Sequence, residues 1–85
     1  MITAPGFKRI TFDPDIMGGR ACIRDTRVTV SLILNLIANG MTTEDILDAY
    51  PYLEPEDIFE ALRYGAWLAS EQVYALEKTT FSLKR

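Results

Sequence analysis

The stretch "TVSLILNLIANGMTTEDILDAYPYLEPEDI", residues 29 to 58, constrains this chain most, because its start and stop signals leave room for one arrangement of helices. Thr29 or Ser31 is an N-cap candidate for a first helix, and Gly40 stops it. Thr42 with Asp45 three residues later resembles a capping box, with Asp in place of Glu. Pro51 ends that second helix. Pro55 suits the first turn of a third, with Glu56 and Asp57 favourable beside its positive dipole end. The third helix is expected from Pro55 to about Leu76, roughly 30 Å at 1.5 Å per residue. The fold class that follows is mainly α: a trihelical bundle over residues 30–76, on the plan that helix-turn-helix domains use.

The helices differ in what they offer. In the first, the polar residues Ser31, Asn35 and Asn39 fall four apart on one narrow stripe, which predicts burial nearly all round. In the third, Ile58, Leu62, Gly65, Ala69, Val73 and Leu76 lie within about 80° of one another, a core stripe. Phe59, Trp67 and Tyr74 form a second, aromatic stripe beside it. That stripe packs on the N-terminal arm or meets another chain. The third helix outruns its two shorter neighbours, so Phe59, Trp67 and Tyr74 are assigned to contact between chains. A domain of this size buries only around 60% of its unfolded surface, and a homo-oligomer would supply missing core.

The first thirty residues read as a β-containing arm or hairpin. "MITAPGFK" is a tail punctuated by Pro5 and Gly6, and "RITFD" alternates Ile10 and Phe12 against Arg9 and Thr11, as a half-buried strand does. "DPDIMGG" is turn chemistry, with Gly18 and Gly19 permitting positive φ. "ACIR" and "RVTV" are two short extended pieces, with Asp25-Thr26 at the turn and Asp25 the residue suited to left-handed backbone. Residues 1–85 are read as one domain, with 77–85 a polar tail.

Charge is unevenly divided along a chain of net charge −3. Lys8, Arg9, Arg20, Arg24 and Arg27 gather in the arm, whereas Glu44 to Glu60 holds seven acids and no base. Arg20, Arg24 and Arg27 are the candidate phosphate contacts, against the alternatives of a solvated hairpin surface or docking on an acidic partner. The third helix is expected to expose Glu54, Glu56, Asp57 and Glu60 with Arg63 as its only base, and phosphates would repel that face.

Chemistry-bearing residues are scarce. The sequence has no histidine, so the commonest general base and any histidine metal site are excluded. Cys22, the one cysteine, has no histidine partner and reads as a buried apolar residue. Asp13, Asp15 and Asp25 read as turn residues rather than magnesium ligands, and a lone Gly-Gly is a weak phosphate signal. The expectation is a non-catalytic protein with no cofactor and no metal. The N-terminus shows no signal peptide and no run spans a bilayer, so a cytoplasmic location is expected.

The run "GGRACIRDTRVTVSLILNLIANGMTTEDILDAYPYLEPEDIFEAL" resembles the bacterial and archaeal family called domain of unknown function 433. Gly19, Arg20, Ile23, Thr26 and Arg27 match its first motif, and Gly40, Tyr50, Pro51, Leu53 and Ile58 match the rest. Ala21 stands where proline is usual and Asp25 where glycine is usual. The resemblance implies a homeodomain-like fold. It also implies an antitoxin-type role, VapB-like, beside a PIN-like ribonuclease toxin. The body and arm would then serve operator DNA or self-association. The C-terminal part would serve the toxin, with Phe81 and Leu83 as apolar anchors beside Lys78, Lys84 and Arg85. A stand-alone DNA-binding regulator and a structural homodimerisation module are the alternatives.

Overall fold

A computed structural model describes the backbone of residues 1–80 and the side-chain surroundings of residues 1–70. Three strands, β1 (Ile2–Ala4), β2 (Phe7–Phe12) and β3 (Cys22–Ile23), form an antiparallel sheet in the order β1-β2-β3. Three helices follow: α1 (Val30–Ala38), α2 (Thr43–Ala49) and α3 (Pro55–Thr80). The chain is thus three helices carrying a small N-terminal sheet. No helix among the described residues is long and apolar enough to cross a membrane.

Each helix end follows from its residues. The Thr29 hydroxyl accepts from the Leu32 N–H and caps α1; Ser31 lies inside the helix. The other end of α1 closes with two backbone bonds, Gly40 N–H to the Ile37 carbonyl and Met41 N–H to the Leu36 carbonyl, each 3.0 Å. That closure needs left-handed backbone at Gly40, where φ is +97°. Thr42 and Asp45 make the reciprocal capping box of α2.

Five isoleucines hold the body together. Ile10, Ile23, Ile33, Ile46 and Ile58, one from each of β2, β3, α1, α2 and α3, are wholly buried in one cluster. Burying each contributes on the order of 1.5–3 kcal/mol relative to exposure. Every element therefore has its own anchor in the same core.

Four expectations are corrected. Residues 2–4 are strand rather than tail: Pro5-Gly6 turns β1 back onto β2, with Gly6 at φ +82°. The pairing slips by three residues between Thr3 and Ala4, an odd number, which puts Phe7 and Phe12 on the same side of the sheet. Left-handed backbone in the β3 turn falls on Arg24, at φ +49°, and not on Asp25. Helix α1 buries only Val30 and Ile33 fully and leaves Leu32, Leu34, Leu36 and Ile37 half-covered, because α3 crosses it on one side only. Helix α3 continues past Leu76 to Thr80. Residues 81–85, with Phe81, Leu83, Lys84 and Arg85, lie outside the described residues, as do the side chains of Tyr74 and Lys78.

Candidate functional site

The start of α3 holds a buried carboxylate. Asp57, expected to be exposed, has no solvent exposure at all, and Glu60 is 7% exposed. The reason is charge pairing across the fold. Asp57 Oδ1 accepts from Arg9 Nη1 at 2.9 Å and Arg24 Nε at 3.1 Å, and Oδ2 accepts from Arg24 Nη2 at 2.8 Å. Oδ2 also accepts the Glu54 N–H at 2.8 Å, closing the N-terminus of α3. Arg9 Nη1 donates a further bond to Glu54, and its backbone N–H donates to Glu60 Oε2. Arg24 Nη2 also reaches the Tyr52 carbonyl.

This cluster fastens the sheet to α3. Burial pushes the Asp57 carboxyl up, but hydrogen bonds from Arg24, the Glu54 N–H and Arg9 outweigh it, leaving its pKa below the ordinary carboxylate value. Bonding to Asp57 in turn raises the Arg24 guanidinium. A fork of two parallel bonds to one carboxylate holds Arg24 in its left-handed conformation. Sequence reasoning missed Asp57, Glu54 and Glu60 as partners. The signal was present in the charge split: a basic arm and an acidic segment in one small chain complement each other.

The three candidate phosphate contacts therefore separate. Arg24 is engaged with Asp57, while Arg20 and Arg27 are exposed and in no ion pair among the described residues. Both lie near Cys22, whose buried thiol has its pKa raised by desolvation against their opposing field. Cys22 is 3% exposed, as its apolar reading expects.

Helix α3 leaves the body partway along its length. Ile58 and Ala61 are wholly buried, Leu62 and Gly65 are half-covered, and residues 66–70 are all exposed. Ala69 thus departs from the expected core stripe. Of the aromatic stripe, Phe59 is 58% exposed and Trp67 49%. Trp67 lies against Phe7 and Tyr64, both at 6.0 Å between ring centres, so the arm covers one side of it. Arg63 stands over the Phe7 ring at 5.7 Å and lies 3.9 Å from Glu60. Among the described residues no group of three or more Cys, Asp or Glu is placed to hold a metal ion.

A family profile described as "Protein of unknown function (DUF433)" matches residues 10–65. The uncharacterized protein y4eO of Sinorhizobium fredii (strain NBRC 101917 / NGR234) is 41% identical over 56 residues, which cover 66% of this chain. This chain spans about a quarter, 25%, of that relative's length. The crystal structure of a DUF433 member protein from Anabaena variabilis ATCC 29413 is similar with a TM-score of 0.69 at 30% identity. That match covers 74% of this chain and 62% of the other.

Proposed function

Because the chain belongs to the DUF433 family, whose matched residues end at residue 65 where α3 leaves the body, we propose that the body is a shared scaffold and the rest of α3 a partner-binding arm. The reading is a non-catalytic, antitoxin-type adaptor in the cytoplasm that grips a PIN-like ribonuclease. The observation that carries it is the projecting α3, with Trp67 49% exposed just past Gly65 and Phe59 58% exposed earlier on the same helix. Aromatic side chains bring large apolar area with few rotatable bonds, which suits them to anchor a protein interface. Trp67 and the rest of the projecting part fall outside the matched region, as a surface specific to one partner would, while Phe59 lies within it.

The test is co-expression of this chain with the product of an adjacent gene for a PIN-like nuclease. The intact chain should co-purify with the nuclease and suppress its toxicity. The variant Phe59→Ser with Trp67→Ser should keep its helical circular dichroism and lose both. Neutralisation undiminished by that double change overturns the aromatic surface. Truncation after Leu76 separately tests the tail with Phe81 and Leu83, and full neutralisation by the shortened chain removes the tail from the interface.

A second reading, operator binding, is favoured by the free positions of Arg20 and Arg27. In a homeodomain-like arrangement α3 would be the reading helix, yet its first turn presents Glu54 and Glu56 outward. DNA contact then falls to Arg20 and Arg27, with Arg24 held back by Asp57.

A further inference from the structure

Helices α1 and α3 pack together, and one residue marks their close approach. That residue is Gly65, where an added Cβ would lie 2.9 Å from Leu34 Cδ1. Beyond it an open groove of about 480 Å³ lies between the first half of α1 and the middle of α3, with Phe12, Leu34, Tyr64 and Leu68 as its apolar walls. Arg20, Ser31 and Asn35 form its polar rim. Leu68, at the mouth, is 41% exposed.

We propose that this groove seats α3 of a second copy of the chain, in a two-fold pair where each projecting helix crosses the other's groove. Two observations converge on that occupant. First, α3 runs on to Thr80, which adds fifteen residues after Gly65, about 22 Å at the helical rise. Ala69, Val73 and Leu76 continue the register of its core stripe. The stripe that builds the chain's own core thus continues past the place where its own body covers it. Second, the groove and the projecting helix are contiguous at Leu68, so one antiparallel crossing near Leu68 and Ala69 covers both features on both chains. An unrelated partner would have to cover them separately, whereas an isologous contact does so by symmetry. The small Ala69, exposed just past the chain's own α1–α3 contact, allows the partner's helix to approach closely.

This pairing uses the core-side stripe and leaves Phe59 and Trp67 outside it, so it stands or falls apart from the nuclease reading. Sedimentation equilibrium of the full chain at micromolar concentrations tests it. The intact chain should be dimeric. Leu68→Glu and Ala69→Trp each alter an exposed position, so both should fold with unchanged circular dichroism and sediment as monomers. Trp67→Ser should stay dimeric. A monomeric intact chain overturns the proposal. So does a dimer that survives Leu68→Glu and Ala69→Trp, or one lost only in Trp67→Ser. As a positional check, a chain with Asn35→Cys is mixed with a chain with Gln72→Cys under mild oxidation. Cross-linked heterodimers are expected, and their absence from a dimeric mixture also overturns this seating.

Discussion

Replacing Asp57 by asparagine puts the buried clamp to a quantitative test. The change keeps the volume and removes the charge. Each carboxylate oxygen accepts two hydrogen bonds, from Arg9 and Arg24 on one side and from Arg24 and the Glu54 N–H on the other. However the amide turns, two of these four donors face an NH2 group and lose their acceptor. Breaking a buried pair by removing one partner costs about 3–5 kcal/mol, and the lower figure applies because both guanidiniums keep some access to water. Domains of this size lose roughly 4–8 °C of Tm per kcal/mol, so a fall of about 15 °C is expected. Far-ultraviolet circular dichroism and Trp67 fluorescence followed on heating give the value. A fall under about 5 °C would show that the clamp contributes little beyond what water supplies at an exposed ion pair. Leucine at both Asp57 and Arg24 should recover part of the loss, since no charge is then left without its partner.

The same carboxylate predicts acid sensitivity. Its pKa is depressed in the fold, so its contribution is complete above the ordinary value of 3.8 and is lost as pH falls through the lower folded value. Urea midpoints should therefore drop below about pH 4, and Asp57→Asn should flatten that limb. Thr42→Ala removes the capping box of α2 and should cost about 1 kcal/mol by urea unfolding. Gly40→Ala forces a side chain onto left-handed backbone and should cost about 1–2 kcal/mol, with the loss read in the same assay. If promoter DNA is bound, Arg20→Ala with Arg27→Ala should reduce the affinity and its salt slope by about 0.9 per lost phosphate contact, with Tm unchanged. Arg24→Ala should instead lower Tm.

The helices were legible because their signals are local. Thr29, Gly40, the Thr42–Asp45 pair, Pro51 and Pro55 act within one turn of themselves, and each does in the fold what its chemistry predicts. Strand β1 was not legible, because three residues carry too little alternation to register. Its one clue was Pro5-Gly6, a turn pair that needs a strand on each side. Asp57 and Glu60 misled for a different reason. Acids in the first turns of a helix are ordinarily solvated, and only partners far back in the chain reveal that these two are not. The core stripe of α3 is accurate as a pattern. Where its cover ends depends on the reach of β2 and α1, which no periodicity in α3 itself encodes.

Arg9 and Arg24 leave the ribosome 48 and 33 residues ahead of the carboxylate they share. During synthesis the sheet therefore waits. Until the first turns of α3 emerge, its two guanidiniums have no counter-charge, and Ile10 and Ile23 have neither Ile58 nor Ala61 to lie against. Helices α1 and α2 wind from local bonds and are sampled in the interval, although at nine and seven residues they too gain their stability only from packing. The sheet, made before the helices, is then the last to settle, and the folding rate of the body is expected to follow closure of the long loop from Arg9 to Asp57 rather than the winding of helices.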